Sequence, residues 1–110
     1  MEIVRTRVYE TGVKRLFKLG ATEADVQAAE DAIASNPQAG VVVQGTGGLR
    51  KIRFSYGGGG KSGGGRTIYY VLLEDDIVYL LTTYAKVDKE DLTGSEKKLF
   101  KKLIKELTDG

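Results

Sequence analysis

"KIRFSYGGGGKSGGGRTIYY" (residues 51–70) carries seven of the fifteen glycines in the chain between two strand-like runs. In "LRKIRFSY" (49–56), Ile52, Phe54 and Tyr56 fall on one side, and Lys51, Arg53 and Ser55 on the other. That is the period of two that a strand imposes on its side chains. "RTIYYVLL" (66–73) is almost continuously apolar and aromatic, the pattern of a central strand. Residues 57–65 therefore read as a long hairpin loop.

The Gly-Lys-Ser at 60–62 invites comparison with a nucleotide phosphate cradle. A Walker A loop needs Gly, four residues, then Gly-Lys-Ser/Thr, opening a helix whose N-terminus holds the phosphate. Counting back from Gly60 puts the required first glycine at Ser55, and the run after the glycines, Arg66-Thr67-Ile68-Tyr69-Tyr70, is a strand. Gly58, Gly60 and Gly63 satisfy G-x-G-x-x-G, but no helix comes after them, and a glycine-dense run meets that pattern by chance. The glycines can instead adopt backbone conformations closed to other residues or let another backbone approach closely. They also leave Lys61 on a tether able to reach a polyanion. The plain alternative is an exposed hairpin tip with no role.

Outward from this hairpin, "EIVRTRVY" (2–9) alternates and reads as a first strand. Val13, Leu16, Phe17 and Leu19 give a helical stripe from about Glu10 to Leu19, stopped by Gly20. Thr22 and Asp25 start a second helix, on which Val26, Ala29 and Ile33 share a face until "SNPQAG" (35–40). "EDD" (74–76) makes a turn into "IVYLLTTYAK" (77–86), another buried strand. Thr93 and Glu96 have capping-box spacing. After them Leu99, Phe100, Leu103, Ile104 and Leu107 form an apolar stripe, opposed by Lys97, Lys98, Lys101, Lys102 and Lys105. The order β-α-α-β-β-β-α predicts an α+β fold, an antiparallel sheet with two N-terminal helices and one C-terminal helix, as a single domain over 1–110.

Composition narrows the chemistry. The 110 residues include no cysteine and no histidine, which removes disulfides, His/Cys metal sites and the usual general base. No metal and no cofactor is expected. No apolar run approaches the roughly 18 residues of a membrane span, and the N-terminus lacks a signal-peptide hydrophobic region, so a cytoplasmic location is expected. The net charge of +2 hides an asymmetry. Between Asp31 and Glu74 no acid occurs, while Arg50, Lys51, Arg53, Lys61 and Arg66 all lie there. Such a segment suits phosphates, although a solvated strand face would look the same.

Lys51 and Arg53, two apart, project from one sheet face; Arg66 opens the next strand, and Lys86 closes the last. With strands paired in order, these four cations could converge. Tyrosines at 56, 69, 70, 79 and 84 are interleaved with them, some filling the core and others able to stack on bases. This combination suits single-stranded RNA. RNA carries its own nucleophile, the 2′-hydroxyl, so cleavage needs alignment, charge neutralisation at phosphorus, and one proton accepted and one donated. Arginine forks suit phosphate oxygens, and a lysine crowded by cations can act as a base.

"GTGGLRKIRF" (45–54), "GKSGGGRTIYY" (60–70) and "LLTTYAKVDKEDLT" (80–93) together resemble the HigB branch of the RelE-type bacterial toxins. The likeness runs in order over about residues 40–93, and the element order agrees over the whole chain. It implies a metal-independent, ribosome-dependent endoribonuclease, an mRNA interferase that cuts messenger in the ribosomal A site. The resemblance places the catalytic set on Lys51, Arg53, Arg66 and Lys86. Lys51 or Arg53 would handle proton transfer and alignment, with Lys51 favoured as base because arginine stays protonated. Arg66 would stabilise the phosphorane. Lys61 and Lys89 would contact RNA backbone, and Tyr84 would orient a base. A C-terminal tyrosine used by some relatives has no counterpart after Tyr84. The resemblance also implies a cognate antitoxin, usually with a helix-turn-helix domain, through which operator DNA is bound. Two alternatives stand beside it: a non-catalytic RNA- or ribosome-binding module, and an interaction domain whose basic patch meets an acidic protein.

Overall fold

The computed structural model describes residues 1–59 and 63–109. Its elements are β1 (Glu2–Arg5), α1 (Arg7–Lys18), α2 (Glu23–Ser35), β2 (Val41–Val42), β3 (Arg50–Phe54), β4 (Gly65–Leu72), a 3-10 turn (Leu73–Asp75), β5 (Ile77–Ala85) and α3 (Gly94–Asp109). The expected α+β class holds, with two helices before the main strands and one after.

Three details differ from the sequence expectation. The first strand ends at Arg5 rather than near Tyr9, because Thr6 takes extended geometry and its side chain accepts from the Tyr9 N–H, starting α1. Thr6 also donates its hydroxyl to Leu81 O at 2.9 Å, which ties the helix start to β5. A two-residue edge strand, β2, pairs antiparallel with β3. Finally, the sheet is mixed. Its order is β1-β5-β4-β3-β2, and β1 runs parallel to β5 while the other pairs are antiparallel.

β4, the apolar run, is central, and its neighbour β5 is buried over nearly its whole length. On one sheet face Tyr9 of α1 and Ile33 of α2 pack on Tyr69, Val78 and Leu80. On the other, Phe100 and Ile104 of α3 pack on Ile68, Tyr79, Leu81 and Tyr84. The capping box read at Thr93–Glu96 forms, and the helix start read at Thr22–Asp25 is a capping box too. Thr22 accepts from Asp25 N while Asp25 accepts from Thr22 N, and Thr93 and Glu96 do the same at α3. Of the α3 stripe, Phe100 and Ile104 are buried, whereas Leu99 and Leu107 are exposed.

Close approach explains several glycines. α1 lies so near β5 that a Cβ on Gly12 would come within 2.1 Å of Thr83 O. At the hairpin, a Cβ on Gly65 would fall 2.3 Å from the Phe54 ring. Gly57 and Gly58 take positive φ, and the Gly57 N–H donates to Asp25 at the start of α2. The loop is thus fastened at both described ends.

Candidate functional site

Register decides which cations meet. Across β3 and β4, Arg53 is opposite Arg66 and Lys51 is opposite Ile68; across β4 and β5, Arg66 is opposite Tyr84. Directly paired residues share a sheet face. Lys51, Arg53, Arg66 and Tyr84 therefore stand on the face that α3 covers at its other end, while Ile52 and Phe54 turn towards α1 and α2. Lys86 comes directly after β5, in a turn, and its N–H bonds Gly64 O at 2.9 Å, which keeps it beside the start of β4. Lys61 lies outside the described residues.

The four cations have different environments. Arg53 is exposed, Lys51 and Lys86 are half-buried, and Arg66 is only 5% exposed. Arg66 Nη1 donates to Gly65 O at 3.0 Å, and its backbone carbonyl accepts from Thr83 Oγ1 at 2.9 Å. One guanidinium N–H is thus held by the hairpin's own backbone, and the Arg66 main chain by β5.

Lys89, expected on RNA backbone, stands 4.8 Å from the centroid of the Tyr84 ring and is paired with Glu96. Tyr84 itself is 6% exposed and packed against Leu92 and Phe100, so it offers no open ring face for stacking a base. Among the described residues its hydroxyl is buried without a hydrogen-bond partner. Burial pushes the Tyr84 phenol up to about 12, Asp91 and Glu96 add to this, and Arg66 offsets part of it. It is a donor rather than a base at neutral pH.

The sequence reading missed the acids. Lys51 Nζ lies 3.5 Å from Asp91, forty positions along the chain, so the acid-free 32–73 segment is balanced from outside. The lysine is not crowded by cations alone, which weakens the case for it as base. The signal available was position: Asp91 comes soon after the "YAK" strand end, within the stretch that carried the resemblance. Of the other tyrosines, Tyr69 is a core residue, donating to Pro37 O at 2.7 Å and accepting from Gly40 N at 2.9 Å. A groove of about 390 Å³ between α1 and α2 lies on the opposite side of the sheet and shares none of these residues.

Lys51, Arg53 and Arg66, from two successive strands of a small α+β sheet, stand on one face. The chain matches the family described as the RelE toxin of the RelE/RelB toxin–antitoxin system over residues 6–109, and it belongs to that family. Its fold is similar to the isolated RelE toxin of E. coli, with TM-score 0.53 and 19% identity over 93% of this chain and 97% of that one. It is likewise similar to a double arginine-to-alanine mutant of E. coli RelE in the free state, with TM-score 0.53 and 18% identity over 81% of this chain and 86% of that one. The protein is therefore a toxin of a toxin–antitoxin system, in a family whose toxins are endoribonucleases and have a cognate antitoxin. Among the described residues, no helix is long and apolar enough to cross a membrane.

Proposed function

We propose that this chain, acting as one domain, is a HigB-like mRNA interferase that cleaves messenger in the ribosomal A site by attack of the 2′-hydroxyl on the adjacent phosphate, without a metal. The observation that carries the reading is the register pairing of Arg53 with Arg66, with Lys51 two positions along on the same face. Two guanidiniums brought together there match the non-bridging oxygens of one phosphodiester.

Arg66, buried and held by its own hairpin, stabilises the negative charge that develops at phosphorus. Arg53 aligns the phosphate, Lys51 handles a proton at the reacting centre, and Lys86 extends the cationic row. Lys89 exchanges Glu96 for an RNA phosphate and leaves the Tyr84 ring, whose hydroxyl has no hydrogen-bond partner among the described residues. Lys61 reaches the backbone from the glycine hairpin. The antitoxin, with a helix-turn-helix domain, silences the cytoplasmic toxin and carries the pair to operator DNA.

Induction in growing cells tests this directly. The wild-type chain should arrest growth and Arg66→Ala should relieve the arrest at equal protein level. Arrest undiminished by Arg66→Ala would remove Arg66 from the chemistry.

A further inference from the structure

We propose that the Asp91 carboxylate is the general base of the cleavage reaction, taking the proton from the 2′-hydroxyl, with Lys51 as its acid partner. The inference rests on the reading of the cationic face as the cleavage site. With no histidine and no cysteine in the chain, a proton acceptor must come from elsewhere. Ordinary lysines and arginines are protonated at neutral pH and act as donors.

The acids of the segment beside this face are distinguishable by what already occupies their oxygens. Asp88 is clamped by Arg15, whose Nε and Nη2 each reach one oxygen at 3.0 Å. Glu96 caps α3 through Oε1 and holds the Lys89 ammonium through Oε2. Asp91 differs. Both of its hydrogen bonds, from Lys51 Nζ and the Leu92 N–H, fall on Oδ1, and among the described residues Oδ2 makes none. Its side chain is 56% exposed, open to a substrate arriving at Lys51. Burial pushes the carboxyl up, but the Leu92 N–H and the Lys51 ammonium outweigh it and hold the group below the ordinary carboxylate range. It is ionised, and so able to accept a proton, throughout the neutral range.

The step balances within the pair. The 2′-O–H bond breaks and its proton passes to Asp91, while the 2′-oxygen bonds to phosphorus. The P–O5′ bond breaks, and the leaving oxygen takes a proton from the Lys51 ammonium. The products are a 2′,3′-cyclic phosphate and a 5′-hydroxyl. Asp91 then returns its proton to the Lys51 amine, its neighbour at 3.5 Å in the free protein, and no net proton is consumed.

The test uses ribosomes programmed with a defined messenger and compares wild type, Asp91→Asn, Asp91→Glu and Glu90→Gln. Asp91→Asn should slow cleavage at least about 100-fold while ribosome binding stays as tight or tightens, because a negative charge has left a phosphate site. The wild-type rate should climb with pH on the acid side, and Asp91→Asn should lack that limb. Asp91→Glu should retain the limb with a lower rate, and Glu90→Gln should cleave normally. Cleavage by Asp91→Asn at or above the wild-type rate overturns the proposal and makes Asp91 a mask on Lys51. Wild type that binds ribosomes and leaves the messenger intact is a different failure, that of the cleavage reading itself.

Discussion

Arg53 and Arg66 face each other across β3 and β4, two guanidiniums at directly paired positions of one sheet. Like charges so placed destabilise a sheet by roughly 0.2–1 kcal/mol. Replacing Arg53, the exposed member, with Gln should leave the denaturant midpoint unchanged or raise it by up to about 1 kcal/mol equivalent. The same variant should lose at least about tenfold in cleavage rate, the scale of one charge-assisted hydrogen bond. Equilibrium urea unfolding and a single-turnover cleavage assay measure the two halves. A variant both less stable and fully active would show that the pairing is structural.

Tyr84 buries a hydroxyl with no hydrogen bond among the described residues. Its removal in Tyr84→Phe should therefore cost no stability and is expected to add about 1 kcal/mol or more. The phenol is raised from 10.0 to about 12 by burial first, then by Asp91. A folded-state value above the unfolded one means that the contribution is intact below pH 10 and disappears as pH rises through 12. The loss is roughly 2–3 kcal/mol. Urea melts at pH 9 and pH 11 should show Tyr84→Phe losing less stability than wild type over that interval. An equal loss in both would exclude Tyr84 as a source.

Gly12 sits where α1 touches β5, with Thr83 O 2.1 Å from any added Cβ. Alanine is the better helix former in isolation, yet Gly12→Ala should destabilise by about 1–3 kcal/mol because backbone must move to admit one methyl. Thermal unfolding checks this, and a stabilised Gly12→Ala would mean that the helix rides higher on the sheet.

Glu30, 3% exposed, accepts from Arg5 Nε at 3.0 Å and from Tyr9 Oη at 2.7 Å, joining α2 to β1 and α1. Glu30→Gln should cost about 1–3 kcal/mol. The cluster lies under α1 and α2, across the sheet from the cations, so ribosome binding should survive at temperatures where the variant is folded. Loss of binding by folded protein would contradict the separation of the two faces.

Much of this architecture is legible in the chain. The alternation of Lys51 and Arg53 against Ile52 and Phe54 is the alternation of the two sheet faces, and the Thr22–Asp25 and Thr93–Glu96 spacings are the two caps. What escaped had local or long-range causes. β1 continues in pattern beyond Arg5, but one threonine hydroxyl captures the Tyr9 N–H and turns the chain into helix. β2 is two residues long, too short to show a period. The parallel β1–β5 pairing joins the start of the chain to residue 77 and beyond, a relation that no local pattern encodes. The acid in the cationic cluster was missed for the same reason, since Asp91 reaches Lys51 only through the fold.

Toeprinting in a translating extract supplies the most direct test of cleavage by the cationic face. Wild-type protein should generate new messenger ends at the A site, and Arg66→Ala should bind the same ribosomes without producing those ends. New ends appearing at undiminished rate with Arg66→Ala, or no new ends with wild type bound, would contradict it.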